Sequence, residues 1–409
     1  MLAIGPARRR RTGRGKLAIA LAGGGPLGAF YALGALHALS EAIAGRALTG
    51  FDVYVGVSSG SLVAAGLANG FDTTTLGMTF IHDESTLFPF SPGALLRPAF
   101  GQYASRLARI PQVLAGIARQ LSRDPLHNGW AAIMGALGEL VPAALFDNAG
   151  LERYLHAVFT SEGHTDDFRR LPGQLHVVAT DLNTGEPVFF GDRRHGRVPI
   201  SRALVASAAL PGLYPAVEID GHHYVDGALT RTLDATFALE AGCGLVICIN
   251  PLVPFHASGV PKKARINLAD RGLPVVLSQT FRALIHSRMQ IKMADYAASY
   301  PRADILLLQP DRRDEQFFFT NVFRYAGRRR LADHAYQRTR RDLLAHASTL
   351  APLLAQHGLS LDTRRLRDPE RKFSTAARER SAHVRHVTMR LGRALGRLED
   401  IVAAQHHPR

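Results

Sequence analysis

Cysteine is nearly missing from this sequence, with only Cys243 and Cys248 among 409 residues. They lie at the start of and inside an apolar run that ends at Ile249, which favours burial in or beside a β-strand. A disulfide framework or a metal site would instead require clustered ligands. The 18 histidines likewise show no metal-binding spacing such as HExxH. We therefore expect no metal and no cofactor, and a reducing compartment is compatible with this composition.

A long apolar run is also missing from the region that most resembles a membrane span. Between Leu17 and Ser40 the only ionisable side chain of the Lys, Arg, His, Asp and Glu types is His37, which imitates a signal peptide or a spanning helix. The apolar stretch before the glycines is only Leu17–Ala22, however, and five glycines and Pro26 interrupt the region. A strand, a glycine loop and a buried helix explain it better. We expect a cytoplasmic protein, with peripheral membrane contact left open.

Acidic residues are scarce at both ends of the chain. Residues 1–16 contain six basic residues and no acid, and residues 363–409 contain 12 basic residues against five acids. These ends carry 13 of the 15 net positive charges, so the region between them is nearly neutral. Basic ends fit an anionic membrane, at about 1 kcal/mol per basic residue near a charged leaflet. Solvated tails without a partner are the simpler alternative, and we expect no nucleic-acid partner.

Short apolar runs alternate with helical patterns through the middle of the chain. Helical patterns at Gly28–Ala44 and Ser59–Ala68 separate the first strand candidates. This alternation predicts an α/β fold with a mostly parallel central sheet sandwiched by helices. The strand candidates, each short and apolar as buried parallel strands are, are Leu17–Ala22, Val53–Val57, Leu175–Thr180, Leu245–Asn250 and Ile305–Gln309.

Composition divides the chain into three parts. Residues 1–15 are expected to form a basic N-terminal tail, residues 16–340 the main domain, and residues 341–409 a basic helical C-terminal extension. Within that extension, residues 363–409 are expected to lie outside the core. An insertion in the main domain, at about residues 84–172, is expected to be a helical cap because its stretch Gln102–Leu121 is amphipathic with a basic polar side. Packing of this cap on the sheet is the simpler interpretation, and contact with acyl chains or a membrane is the alternative.

The first candidate site is residues 56–60, which read GVSSG between a predicted strand and a predicted helix. A nucleophile elbow requires this order of strand, sharp turn with serine, and helix. Gly56 and Gly60 remove Cβ atoms that would collide in the turn, and the following helix directs its positive end at Ser58. Ser58 is therefore a candidate nucleophile. A tight turn with an incidental serine is the alternative.

The second candidate site is the glycine loop, residues 23–28, which read GGGPLG. Its backbone N–H groups could bind a negative oxygen, as an oxyanion hole does. The spacing of Gly23, Gly25 and Gly28 also matches the GxGxxG pattern of dinucleotide-binding proteins. That function would require an acidic residue near the end of the second strand, where this chain has Ser58 instead. The oxyanion hole is therefore favoured.

The third candidate site is residues 224–228, which read YVDGA. A carboxylate beside Gly227 at a strand end can approach a serine and accept its proton. General-base assistance of this kind is worth roughly 10²–10⁴-fold in rate. An isolated Asp-Gly pair indicates only a turn. The interpretation of Asp226 as a candidate base therefore depends on its occurrence together with the two other motifs.

Together, in this order, the three motifs resemble the patatin-like phospholipase family. Two further stretches, residues 179–185 and 206–215, are similar to family segments, and the resemblance covers about residues 16–250 and more thinly continues to about 340. It implies a three-layer fold and a lipid acyl hydrolase of the phospholipase A type that acts on lipid or phospholipid esters. Ser58 is then the implied nucleophile and Asp226 the implied base.

The resemblance further implies that the backbone N–H groups of Gly24 and Gly25, together with that of Gly23, form the oxyanion hole, and that no histidine is catalytic. One position departs from the family pattern, since the family often has a basic residue where this chain has Leu27. A side-chain role at that position is therefore in doubt, whereas the backbone donors are unaffected. Two alternatives stay open: a catalytically silent, membrane-associated scaffold of the same family, and a nucleotide-binding module.

Overall fold

The computed structural model of the chain describes residues 1–5, 7, 15–82, 89–90, 97–99, 112, 115, 144–256, 267–318 and 327–374. Most of the predicted helical cap, including nearly all of its amphipathic stretch, lies outside these residues. The arginines of the predicted N-terminal tail and residues 375–409 of the predicted extension also lie outside them.

Eleven strands form two sheets among the described residues. The main sheet has nine strands in the order β1-β10-β9-β2-β4-β5-β8-β7, with β6 paired to β5, and the second sheet pairs β3 with β11. The strands are β1 (Leu2–Gly5), β2 (Lys16–Leu21), β3 (Ile43–Ala44), β4 (Val53–Val57), β5 (Gln174–Asp181), β6 (Pro187–Phe190), β7 (Val217–Ile219), β8 (His222–Asp226), β9 (Cys243–Ile249), β10 (Asp304–Leu308) and β11 (Ser360–Leu361).

Helices lie between most of these strands and after the last strand of the main sheet. The α-helices in the described part of the chain are α1 (Gly25–Ala42), α2 (Ser59–Ala68), α3 (Thr73–Gly77), α4 (Ala149–Phe159), α5 (Ile200–Ser207), α6 (Thr236–Glu240), α7 (Leu273–Ser299), α8 (Glu315–Phe318), α9 (Arg328–Ala345), α10 (Ala347–Gln356) and α11 (Thr363–Arg367). A π-helical turn at Met78–His82 follows α3. None of the described helices has both the length and the apolarity needed to cross a membrane.

The centre of the main sheet is parallel, as the alternation of strands and helices predicts. Strands β10, β9, β2, β4 and β5 run in one direction, and each coincides within two residues with a strand candidate from the sequence. The sheet is mixed at its edges, because β1, β6 and β8 run antiparallel to their neighbours. The predicted α/β class with a mostly parallel sheet between helices is confirmed.

Apolar side chains of the central strands pack on both faces of the sheet. In β2, Leu17, Ile19 and Leu21 belong to one hydrophobic cluster, whereas Ala18 and Ala20 belong to a second cluster on the other face. Successive strand residues point to opposite faces, so a strand covered on both sides is apolar throughout. The uncharged region from Leu17 is therefore explained by β2, the glycine loop and the buried helix α1, as predicted.

Both ends of the main domain differ from the sequence-based division of the chain. Within the predicted N-terminal tail, β1 pairs antiparallel with β10, and Leu2 is buried. Helix α9 runs across the predicted boundary at residues 340/341, and α10 and α11 contribute Leu350 and Leu366 to the main hydrophobic cluster. Residues 341–374 thus pack onto the core, and residues 363–374, which were expected to lie outside it, contribute the buried side chains of Leu366 and Phe373.

An ion pair between the half-buried Arg371 and the buried Glu41 fixes the end of the described chain against α1. Arg371 lies 2.6 Å from Glu41, and the Tyr336 hydroxyl also donates a hydrogen bond to this carboxylate. Burial of Glu41 raises its pKa, but the hydrogen bonds from Arg371 and Tyr336 outweigh burial, so the pKa lies below its ordinary value. Nearby, Phe373 is buried with its ring 5.2 Å from that of His37.

The close approach of α1 and α9 gives a stability prediction. A Cβ on Gly34 would lie 2.3 Å from the Ala332 carbonyl oxygen and 2.9 Å from the Ala335 Cβ. We expect Gly34→Ala to lower the free energy of unfolding by about 1–3 kcal/mol or more, as overpacking does, despite the better helix propensity of alanine. Denaturant unfolding measures the change. Gly50→Ala is the matched control, because the nearest atom to its Cβ is 3.8 Å away, and equal effects of both substitutions would contradict the packing of α9 on α1.

Candidate active site

The parallel register places the glycine loop beside the serine turn. Strands β2 and β4 are neighbours, with Leu21 opposite Gly56. Because both strands end at the same edge of the sheet, the glycine loop after β2 and the turn after β4 leave the sheet side by side. A Cβ on Gly23 would in fact lie only 2.9 Å from the Cβ of Ser58.

The next strands bring Asp226 to the same place. The β4–β5 register puts Val57 opposite Val178, and the antiparallel β5–β8 register puts Ala179 opposite Asp226. Asp226 therefore reaches the level of Ser58 across a single intervening strand. The hydrogen bond from the Asp226 N–H to the Ala209 carbonyl oxygen, at 3.0 Å, also holds the end of β8.

Ser58 occupies a strained turn between β4 and α2. Its φ of 51° lies in the left-handed region, which costs a non-glycine residue of the order of 1–3 kcal/mol. Two side chains hold the turn, because the Ser58 N–H donates to the Ser207 Oγ at 2.8 Å and the Ser61 hydroxyl donates to the Ser58 carbonyl oxygen at 2.5 Å. Ser207 in turn donates to the Val178 carbonyl oxygen, so the turn is tied to β5.

Three glycines of the sequence motifs, two beside Ser58 and one beside Asp226, lie too close to neighbouring backbone for any side chain to fit. A Cβ on Gly56 would lie 2.3 Å from the Cα of Ser61, and a Cβ on Gly60 would lie 2.4 Å from the Ala22 carbonyl oxygen. On the other side of the site, a Cβ on Gly227 would lie 2.2 Å from a carbonyl oxygen of β5. Any side chain at these positions would therefore separate the strands and turns that bring Ser58 and Asp226 together.

The side chains of Ser58 and Asp226 are in direct contact. The Ser58 Oγ donates a hydrogen bond to the Asp226 Oδ2 at 2.5 Å, and the other carboxylate oxygen accepts one from the Ala228 N–H at 2.8 Å. The two residues are only 6% and 3% exposed. Among the described residues, no histidine contacts the Asp226 carboxylate, and His222 instead pairs with Asp181 at 2.9 Å.

Burial determines the protonation of Asp226. Removal from water disfavours the charged form and raises its pKa to about 6, against the hydrogen bonds from Ser58 and Ala228, which lower the pKa. A carboxylate that is poised near neutral pH and hydrogen-bonded to a serine hydroxyl can accept the proton of that hydroxyl. The geometry thus suits proton transfer from Ser58.

The glycine loop presents backbone N–H groups next to Ser58. Helix α1 begins at Gly25 and α2 begins at Ser59, so two helix N-termini with their positive ends meet at this point. Gly24 and Gly25 have φ values of 149° and 60°, which glycine adopts without strain. In the described ranges, no hydrogen bond uses the N–H groups of Gly23, Gly24 or Gly25, which leaves them available to a ligand oxygen.

Pro251 packs against the backbone of the glycine loop. A Cβ on Gly24 or Gly28 would lie 2.9 or 3.1 Å from the Pro251 Cγ, and the Gly28 N–H donates to the Gly24 carbonyl oxygen at 3.0 Å. Leu27, where the related family often has a basic residue, is only 4% exposed and belongs to the main hydrophobic cluster. No charge from position 27 therefore reaches the site.

The sequence motifs missed the groups that position the candidate residues. Ser207 lies within residues 206–215, which the resemblance singled out without a role, and the sequence gave no sign that its hydroxyl would hold the Ser58 N–H. Pro251 and the Ala209 carbonyl oxygen were also missed, because their positions depend on tertiary packing. Nowhere in the described ranges do three or more His, Cys, Asp or Glu side chains converge as a metal site would require.

A comparison with protein-family models agrees with the motifs. The family model described as patatin-like phospholipase matches residues 19–239, more than half of the chain. Among solved structures, VipD from Legionella pneumophila is similar over 85% of this chain and 80% of its own, at 13% identity and a TM-score of 0.31. ExoU from Pseudomonas aeruginosa, solved in complex with SpcU, is similar over 87% of this chain and 68% of its own, at 15% identity and a TM-score of 0.28.

The raised pKa of Asp226 gives a prediction about stability. Because the folded-state pKa of about 6 exceeds the ordinary carboxyl value of about 3.9, the folded chain binds this proton more tightly than the unfolded chain. The stability from this group is fully present below about pH 4 and is lost as the pH rises through about 6. Relative to wild type, we expect Asp226→Asn to be more stable at pH 8 than at pH 4.5 by about 2 kcal/mol, because part of the stability from this group is already lost at pH 4.5.

Denaturant unfolding of both proteins at the two pH values measures this difference, and the titration of all other groups cancels in the comparison. Asp220→Asn is the matched control, because it makes the same chemical change at an exposed turn residue. A wild-type-to-Asn difference that does not change with pH would contradict the assigned protonation of Asp226.

Proposed function

Because the chain belongs to the patatin-like phospholipase family, we propose that it is a lipid acyl hydrolase in which Ser58 and Asp226 act as a catalytic dyad. The contact from the Ser58 Oγ to the buried Asp226 carboxylate, at 2.5 Å, is the observation that carries this proposal. A hydroxyl and a carboxylate that are hydrogen-bonded at the N-terminus of a helix, beside free N–H groups, suit acyl transfer. The proposed substrates are carboxylic esters of lipids or phospholipids.

The first half of the proposed reaction forms an acyl-enzyme. Asp226 accepts the proton of the Ser58 hydroxyl while the Oγ attacks the ester carbonyl carbon. The carbonyl oxygen becomes an oxyanion, and the N–H groups of Gly24 and Gly25, together with that of Gly23, stabilise it. The intermediate collapses as the ester C–O bond breaks, and Asp226 gives the proton to the departing alcohol oxygen.

The second half releases the fatty acid. Asp226 accepts a proton from a water molecule, whose oxygen attacks the acyl carbon on Ser58. The same N–H groups stabilise the second oxyanion. Its collapse breaks the bond to the Ser58 Oγ, which regains its proton from Asp226, and the enzyme returns to its initial state. Each removed oxyanion donor is expected to cost roughly 10²–10³-fold in turnover.

The strained turn supports the assignment of Ser58. A positive φ at a non-glycine residue persists only where the surroundings hold it, and here Ser207, Ser61 and the close contacts of Gly56 and Gly60 do so. The strain points the hydroxyl at Asp226 and the glycine loop. Membrane contact through the basic ends of the chain stays a prediction, because most of the basic residues there lie outside the described residues.

The dyad predicts the outcome of two substitutions. Ser58→Ala should abolish hydrolysis of a short neutral ester such as p-nitrophenyl butyrate, because no nucleophile is left, and Asp226→Asn should lower it by roughly 10²–10⁴-fold. Labelling by a fluorophosphonate probe, which requires an activated serine, should disappear with Ser58→Ala.

The neighbouring Ser59 offers the matched control. Its hydroxyl is buried and has no hydrogen-bond partner in the described part of the chain, so Ser59→Ala should retain activity within a few-fold. Near wild-type hydrolysis by either dyad variant would refute the mechanism. A well-folded wild type that neither hydrolyses esters nor reacts with the probe would indicate a silent scaffold.

The pH dependence of activity follows from the pKa of Asp226. Because only the ionised carboxylate can accept the serine proton, kcat/KM for a neutral ester should rise with pH through a midpoint near 6, the pKa of Asp226. Moderate amounts of organic cosolvent should move this midpoint upward, since a less polar medium disfavours the anion. A downward shift of the midpoint would contradict a carboxylate base and indicate a histidine. The charged form of histidine is the protonated one, so a less polar medium lowers its pKa.

A further inference from the structure

Helix α7 is much longer than the strands on which it packs. Its 27 residues span about 40 Å at 1.5 Å per residue, whereas the seven residues of β9 span about 23 Å. The C-terminal end of α7 leads into β10, which starts at the edge of the sheet opposite to Ser58. The excess length of α7 therefore extends beyond the edge where Ser58 lies.

Contacts of α7 locate the point at which it leaves the sheet. Asn250 directly follows β9, and its Nδ2 lies 2.9 Å from the Met289 Sδ, so Met289 is level with the Ser58 edge. Residues 273–288 continue past this edge for about 24 Å. We call this stretch the overhang.

The overhang borders the candidate active site. The Arg288 guanidinium donates to the Leu229 carbonyl oxygen at 3.0 Å, three residues after Asp226. Gln279 forms two hydrogen bonds, at 3.0 and 2.8 Å, with the backbone N–H and C=O of Phe255. Phe255 belongs to the segment that begins with Pro251, which packs on the glycine loop. The overhang is thus hydrogen-bonded both to the segment that follows Asp226 and to the segment that packs on the glycine loop.

The overhang exposes an apolar stripe. A soluble helix normally buries its apolar face, but five large apolar side chains here are between 39% and 69% exposed. Four of them are spaced by four, four and three residues, so they share one face. Leu210 and Leu229, which flank the backbone of Asp226, are also exposed. The five residues are Leu273, Val276, Leu277, Phe281 and Leu284.

The charges of α7 favour a lipid surface over another protein surface. The overhang contains Arg282 and Arg288 but no aspartate or glutamate. Arg288 is exposed, whereas Arg282 packs over the rings of Phe317 and Phe318. An apolar stripe accompanied only by cations is typical of helices that lie in the interface of anionic bilayers. The inner end of the overhang is also hydrogen-bonded to Leu229, three residues after Asp226.

We propose that the overhang of α7 lies in the surface of a phospholipid bilayer, with its apolar stripe among the acyl chains, and thereby brings the edge that carries Ser58 and Asp226 to the lipid. This inference rests on the proposed lipid hydrolase function for its choice of partner. The exposed guanidinium of Arg288, at the inner end of the overhang, contacts the anionic head groups. A lipid ester then reaches the dyad without crossing bulk water.

Co-sedimentation with vesicles of phosphatidylcholine and phosphatidylglycerol tests the proposal. The protein carries Ser58→Ala so that the vesicles stay intact during the measurement. We expect the double substitution Leu277→Ser and Phe281→Ser to weaken vesicle binding at least 10-fold. Both side chains are about half exposed, so the substitutions should leave folding intact, which thermal unfolding checks.

Ile291→Ser is the matched control. Ile291 lies on the same helix and is 70% exposed, but it follows Met289 and is outside the overhang, so its substitution should change vesicle binding less than twofold. Equal loss in the control and the double variant, or no loss in either, would overturn the proposal. The proposal would also be overturned if the double variant bound vesicles normally but was monomeric where the wild-type protein is a dimer. The stripe would then be the contact between two copies of the chain.

A soluble substrate separates this inference from the proposed function. In proteins that retain Ser58, hydrolysis of monomeric p-nitrophenyl butyrate should stay within twofold of wild type in the double variant, whereas hydrolysis of vesicle lipid should fall at least 10-fold. Vesicle binding that depends on the overhang, in a protein that hydrolyses neither substrate, would support the lipid surface and reject the enzyme. Equal losses on both substrates would reject the overhang as a lipid contact.

Discussion

The hydrogen bond between the Ser58 hydroxyl and the Asp226 carboxylate joins residues 168 positions apart in the chain. It can form because the β4–β5 and β5–β8 registers bring the ends of β4 and β8 to the same level of the sheet. Ser58 follows β4, Asp226 ends β8, and β5 lies between them. Strand β4 is buried throughout, β5 is buried except at Gln174, and β8 is buried from Tyr224 to Asp226, so burial holds the register. A slip of one residue in any of these pairings would move the carboxylate away from the hydroxyl and turn its side chain to the other face of the sheet.

This arrangement has local energetic costs. Asp226 is held in a buried place where its charged form is disfavoured, and Ser58 is held at a positive φ. The rest of the fold offsets these costs through the packing of two hydrophobic clusters against the sheet and through close contacts that only glycine permits. Residues that cost stability where they lie are expected where chemistry takes place, and both costs fall on the same pair of side chains.

The edge of the sheet that holds the dyad also borders exposed apolar side chains. Two helix N-termini meet there, and the overhang of α7 extends past it with exposed apolar side chains. We propose that chemistry and lipid contact share this edge. In a parallel sheet the strands end together and their loops cluster at one side, so one edge can collect a nucleophile, its base, oxyanion donors and a lipid-binding helix.

The sequence by itself determined the five parallel strands, the two helices after β2 and β4, and the three motifs with Ser58, Asp226 and the glycines, because periodicity and turn chemistry are local properties. It placed a domain boundary at residues 340/341 and expected residues 363–374 outside the core, although seven apolar side chains of residues 341–374 belong to the main hydrophobic cluster. The role of Ser207, the antiparallel edge strands and the length by which α7 passes the sheet were decided by tertiary structure alone. These three features depend on contacts between segments that are distant in the chain, and local sequence patterns do not predict such contacts.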